Sequence, residues 1–293
     1  MSTRRATALF ALIAAAACQK HSGPAANPDE LARPLFWSIE KAGKTSYALG
    51  TFHTGIDAKS QLPATVWDKL DHSRAFAMET DISDPALAQQ LASRGDGKTL
   101  HDELGDAYWH KLEAALTPEI AQRLNATKPT IAATMLSLRG LPSTLPMDGT
   151  LLAHAQNHKL QIAYLEPAQV QIDALVRWLD ARALEEMLDD LSWGEHLQKE
   201  MLAAYKAGDE AKILELSAAE RTEWAKFGRP DAEYDEMMEQ MLFRRNASWI
   251  DGIERLHADG GVFIAVGAMH LIGPRSVLAL LEKRGYKVTR LTP

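Results

Sequence analysis

A chain of 293 residues, 46% of them hydrophobic, is long enough to bury a large core without a disulfide staple, and Cys18 is its only cysteine. The formal charge of −7 excludes a nucleic-acid binder that relies on clustered Lys and Arg. No block of like charge interrupts the chain, and the one low-complexity stretch is short, from Ser22-Gly23-Pro24 to Pro28.

The N-terminus reads Met-Ser-Thr-Arg-Arg, then an apolar run through Ala17, then Cys18. A basic start, a short apolar stretch and small residues at its exit are the parts of a secretory signal peptide. The run falls short of the ~20 apolar residues that span a bilayer. Ala15-Ala16-Ala17-Cys18 resembles a bacterial lipobox, which usually has Leu three residues before the Cys; ordinary cleavage near Ala17 with a free thiol is the alternative. We therefore expect a signal peptide over residues 1–17, a lipid-anchor tether over 18–34 with Cys18 acylated, and one domain over 35–293. Gln19 after the cysteine points to the periplasmic face of the outer membrane. The lipid would be the only membrane contact.

In the domain, Leu35–Glu40 and Ser46–Gly50 are short apolar runs around a Gly-containing turn, which predicts a β-hairpin. Leu62-Pro63 opens a helix carrying Val66, Trp67 and Leu70 at helical spacing, and Ala75–Glu79 follows as a buried strand. Strand, helix, strand at these intervals predicts a parallel crossover. Asp84-Pro85 starts a further helix. Residues from about 98 to 260 are mainly helical, with breaks near Asn125–Pro129, Leu141–Met147 and Phe227–Pro230, and with a strand at Leu160–Glu166. Gly261–Val266 is the clearest buried strand. A helix opened by Pro274 and a closing strand at Tyr286–Leu291 complete an α/β (α+β) domain: a central, mostly parallel sheet with a large helical insertion.

Ligands of open parallel sheets sit beyond the carboxyl ends of the strands. His53, Glu79 and His270 each follow an apolar strand, and both histidines end a Gly-x-x-His segment, Gly50–His53 and Gly267–His270. Glycine there permits a tight turn or close backbone approach. Two imidazoles and a carboxylate suit a three-ligand divalent-metal site with an open position, able to polarise a carbonyl and activate water. Glu79 acting as general base is the alternative.

These residues carry a resemblance. Tyr47–His53, Leu62-Pro63 and Ala77-Met-Glu79-Thr-Asp81 are similar to the opening of the TraB/GumN family. Asp148-Gly-Thr-Leu-Leu152, Leu165-Glu166 with Gln171, Arg245-Asn246 with Trp249, and Val266–Leu271 follow in the family's order, so the likeness covers about residues 35–291. The family includes the TIKI metalloproteases, and its fold resembles the erythromycin esterases and the ChaN-type haem-binding lipoproteins. The resemblance implies a hydrolase, protease-like, that holds a divalent transition metal (Mn, Co or Zn) on His53, Glu79 and His270 and acts on a peptide or small molecule. It makes Arg245 a substrate-holding group, and Glu166 and Gln171 secondary, orienting residues. A non-catalytic haem or small-ligand binder, or an envelope regulatory protein, is the competing expectation. Pro167 stands where the family usually has Thr, and Pro274-Arg275-Ser276 replaces a more glycine-rich segment beside His270.

Other patterns carry less. His154 and His158 lie four apart on one helix face, a spacing that can bind metal, but the family shows no such pair and the helix dipole favours His158 near a helix end, so the pair is read as structural. Glu185, Glu186, Asp189 and Asp190 read as a solvated face, and Trp178, Trp193, Trp224 and Trp249 as core and groove linings. No phosphate loop, His-Glu-x-x-His or Gly-x-Ser-x-Gly turn is present.

Overall fold

The structure, a computed structural model, describes residues 29–81, 89–91, 93–95 and 97–292. The signal segment, Cys18 and the helix start at Asp84-Pro85 lie outside the described residues. Six strands form one sheet: β1 (Phe36–Lys41), β2 (Lys44–Thr51), β3 (Ala75–Met78), β4 (Gln161–Tyr164), β5 (Val262–Gly267) and β6 (Lys287–Arg290), in the order β4-β3-β5-β2-β1-β6. β1 and β2 form the expected hairpin, closed by Ala42 and Gly43, both at positive φ as a two-residue turn of this hand requires. β6 adds antiparallel to β1, while β2, β5, β3 and β4 run parallel. The mixed α/β architecture is the one expected.

β5 takes the middle of the parallel set because its sequence, Val-Phe-Ile-Ala-Val, is apolar at consecutive positions and buried throughout. Only a strand covered on both faces can bury such a run. Its arrival changes one expectation. The helix Ala64–Asp71 does carry the chain from β2 to a parallel β3, but the two strands are not neighbours; β5 separates them. Nothing local to residues 44–78 announces a strand from residue 262.

The helical region divides around β4, with helices from Leu100 to Asn157 before it and from Ala168 to Ala258 after it. Two hydrophobic clusters result. One surrounds the sheet and includes Leu49, Phe76, Phe263 and Trp249; the other joins Leu100, Leu112, Leu136 and Leu184. The acidic run at 185–190 is not simply solvated. Glu186 accepts two hydrogen bonds of 2.9 Å from the buried Arg229, and Asp190 caps the helix Leu191–Ala207 through the Trp193 N–H. The last helix, Val277–Lys283, begins three residues later than Pro274 would place it, because the Ser276 hydroxyl caps it by accepting from the Ala279 N–H. Among the described residues no helix is long and apolar enough to cross a membrane.

Candidate active site

The strand register brings the two Gly-x-x-His segments together. Gly50 pairs with Val266 and Thr51 with Gly267, so both segments leave adjacent parallel strands at the same rim, one step apart. Met78, at the end of β3, lies opposite Ala265 on the other side of β5, and Glu79 follows it. Each glycine has its own reason. The Gly267 N–H donates to Glu79 Oε1 at 2.9 Å, and a Cβ there would stand 3.4 Å from that oxygen. A Cβ on Gly50 would press on Ala268 Cα at 3.1 Å and Leu35 Cβ at 3.2 Å, so this glycine lets β2 pack under the turn that carries His270.

His270 sits on that turn, a 3-10 turn at Ala268–His270, and is 6% exposed. Its Nδ1 lies 2.5 Å from Asn246 Oδ1, and Asn246 Nδ2 donates to the Arg275 carbonyl at 3.0 Å, which orients the amide so that its oxygen faces the ring. Nδ1 therefore carries the proton and Nε2 the lone pair, 3.7 Å from Glu79 Oε1. The Trp249 ring packs against the imidazole at 4.5 Å between centroids. Burial is the main influence on this ring and pushes its pKa down from 6.5 to about 4, so it is neutral at pH 7.

Arg245 organises the acids around it. Its Nε and Nη2 engage Glu166 at 2.5–3.1 Å, Nη2 also donates to Glu79 Oε2 at 2.7 Å, and Nη1 donates to the Met241 carbonyl at 2.9 Å. Trp249 Nε1 donates to Glu166 Oε2 at 3.0 Å, and Gln171 Nε2 to Glu79 Oε2 at 3.3 Å. Burial would raise the pKa of Glu79, but His270, Arg245 and the Gly267 N–H outweigh it and hold the carboxyl below its usual range. A π-helical turn, Glu239–Phe243, immediately precedes the helix Arg244–Ala258 that delivers Arg245, Asn246 and Trp249 together. Arg245, expected to hold a substrate anion, is 5% exposed, and its guanidinium already pairs with the carboxylates of Glu79 and Glu166.

His53 occupies a different setting. Its side chain is 71% exposed, and its Nδ1 faces Asp148 Oδ2 at 3.4 Å. Asp148 is held in turn by the Thr51 hydroxyl, 2.7 Å from Oδ1. The hydrogen bond of His53 with Asp148 raises the imidazole pKa above 6.5. Tyr205 pins the end of β2 by donating its hydroxyl to the Gly50 carbonyl at 2.7 Å, and its complete burial pushes the phenol well above its ordinary pKa.

His53, Glu79, Gln171, Arg245 and His270 share one cleft of about 400 Å³, walled by Met201, Met237, Met238, Met241 and Met269. It adjoins a second chamber of about 270 Å³ lined by Trp178, Trp193 and Trp224. Glu220 lies at the junction, and burial lifts its pKa to about 7. Trp249 is core and the other three tryptophans line the chamber. Thr51, Asp148 and Asn246 stand inside the ordered motifs, with no role attached to them there, whereas no motif contains Tyr205 or Glu220. Of the two departures, Pro167 is the residue before the helix Ala168–Trp178, where proline is harmless; Arg275 stacks on Phe243 and pairs with Glu239, tying the altered loop to the π-helical turn.

The donor types suit a divalent ion. Both imidazoles have Nδ1 directed at a side-chain oxygen, the usual second support of a metal-binding histidine. Two carboxylates, from Glu79 and Glu166, share the Arg245 guanidinium, which leaves a negative surplus favourable to a cation. The spacing is looser than a closed trio. Glu79 and His270 are 3.7 Å apart, but His53 does not complete a set whose ligating atoms all lie within 4.8 Å of one another.

No curated protein and no solved structure matches the chain. The family described as TraB/PrgY/gumN matches residues 35–290, nearly the whole of the domain, and the chain belongs to that family.

Proposed function

We propose that this cleft is the active site of an exported, metal-dependent hydrolase acting on a peptide or a small molecule. One observation carries the proposal: two histidines with anchored Nδ1 atoms meet a charged carboxylate, Glu79, in one methionine-walled cleft. His53 Nε2, His270 Nε2 and Glu79 would hold the ion. Bound there, a divalent metal polarises a carbonyl and lowers the pKa of its water. His270 contributes an imidazole that is neutral at pH 7, aimed by Asn246. Asp148 faces His53 Nδ1 and would hold the ring in one orientation, with Nε2 left to the ion. Glu79 stays ionised and, fixed by Gly267 and Arg245, presents its Oε1 side to the His270 ring. The methionine walls exclude water and accept an apolar substrate group. Acylation of Cys18 would tether the domain outside the cytoplasm, and labelling with a palmitate analogue that is lost in Cys18→Ser tests this part.

Metal analysis of the purified protein, wild type beside His53→Ala and His270→Ala, tests the mechanism. The expected result is a bound transition metal that both substitutions remove. Metal content unchanged by either one sinks it. The five methionines also suit an apolar ligand held without turnover. Haem addition that produces a visible absorption band, with no peptide or ester hydrolysis under any metal, would favour this second reading.

A further inference from the structure

At the opposite rim of the sheet, before β3 and β4 begin, three side chains converge that the cleft does not use. His154 lies in the last turn of the helix Met147–Asn157 and His158 caps its end. Their rings stack at 4.1 Å. Asp71, the last residue of the helix Ala64–Asp71, points one oxygen at both rings: Oδ1 is 2.6 Å from His154 Nε2 and 3.1 Å from His158 Nδ1. We infer that Asp71, His154 and His158 form a second binding site, for one late first-row divalent ion such as Zn²⁺, Ni²⁺ or Cu²⁺.

Four features carry this. First, the three ligating atoms lie within 4.8 Å of one another, the only such His/Cys/Asp/Glu trio among the described residues. An ion with bonds of about 2.0–2.1 Å needs its tetrahedral donors about 3.3 Å apart, so the trio is close to its bound spacing already. Second, two imidazoles and a carboxylate are the donor types that late first-row ions favour. Third, both helices end here, and their carboxyl termini direct negative potential at the same point. Fourth, His154 is braced by Trp67, 4.7 Å away between ring centroids, while the three ligating side chains remain 27–45% exposed, which leaves coordination positions for water. The ion would clip the segment entering β3 to the segment entering β4.

The full chain carrying His53→Ala and His270→Ala, which removes the cleft's imidazoles, is titrated with NiCl₂ and with ZnCl₂ by calorimetry. We expect about one equivalent bound, weakened roughly tenfold or more by either His158→Ala or Asp71→Asn. Each of these variants should melt like its parent in EDTA and lose the rise in Tm that Zn²⁺ gives the parent. A second measurement uses the otherwise wild-type chain: Cu²⁺ should quench a fraction of the tryptophan fluorescence that Trp67→Phe removes. No binding in the doubly substituted chain, or binding indifferent to His158→Ala and Asp71→Asn, overturns the inference and leaves Asp71 as an acceptor for two imidazole N–H groups. Because the cleft histidines are absent, this outcome is independent of whether the cleft itself holds metal.

Discussion

The two Gly-x-x-His segments share a spelling and a sheet rim, yet their histidines live in opposite conditions. His270 is 6% exposed, packed on Trp249 and driven to a pKa of about 4; His53 has a side chain 71% exposed and is held more basic than usual by Asp148. The strand and its glycine only bring each imidazole to the edge. What covers it decides its charge. The helix Arg244–Ala258 lays Arg245, Asn246 and Trp249 against His270, whereas His53 meets the helix Met147–Asn157 through Asp148. One histidine is a fixed neutral donor and the other a titrating group.

The largest effect on stability should come from breaking the cover over His270. Arg245→Met leaves Glu166 and Glu79 without their cation, and breaking a buried pair in this way costs about 3–5 kcal/mol. Urea unfolding at pH 7 measures it; a loss under about 1 kcal/mol would mean the carboxylates find other partners.

Next comes the acid response of His270. Its folded pKa of about 4 is below the 6.5 of the unfolded chain, so as pH falls from 6.5 toward 4 the unfolded state takes up a proton that the folded state refuses. Stability should therefore fall through this window, by up to about 3 kcal/mol from this group. Unfolding curves of EDTA-treated protein at pH 7 and pH 5 should converge in His270→Gln relative to wild type. His53 has the opposite sign: its contribution is present below pH 6.5 and is lost as pH rises through its elevated folded value.

The glycines sharpen the contrast at a smaller scale. Gly50→Ala drives a methyl against the Ala268 backbone and Leu35, an overpacking worth about 1–3 kcal/mol. Gly267→Ala meets Glu79 Oε1 at 3.4 Å and His270 Cδ2 at 3.6 Å, both looser contacts, so its thermal shift should be the smaller of the two. The reverse order would show that the turn under His270 yields more readily than the Glu79 carboxylate.

The smallest stability effect belongs to His53. His53→Ala should change unfolding free energy by about 0.5 kcal/mol or less, as for exposed side chains. Under the proposed function it should nevertheless lower hydrolysis by about 10²–10⁴-fold. Asp148→Asn should return the His53 pKa toward 6.5, read from its imidazole proton shifts by NMR; no movement would remove Asp148 from its orienting role.

Much of this protein is determined by order along the chain. Apolar runs at Ser46–Gly50, Ala75–Met78 and Val262–Val266 become strands, and the glycines ending the first and third put His53 and His270 at a common rim. Those signals are local: a strand's burial and a turn's backbone freedom are written in consecutive residues, and the ordered motifs made Glu79, Glu166, Gln171 and Arg245 candidates. Tertiary structure alone decided the rest. β5 entered between β2 and β3, Arg245 closed on Glu166 and Glu79, Asn246 and Asp148 each took one histidine, and Asp71 joined a histidine pair more than 80 positions away. Charge pairing and burial depend on which distant segments share a low-dielectric space, and no local period records that. The paired Gly-x-x-His spelling set where the imidazoles stand; the packing of the helices against them set which one is neutral.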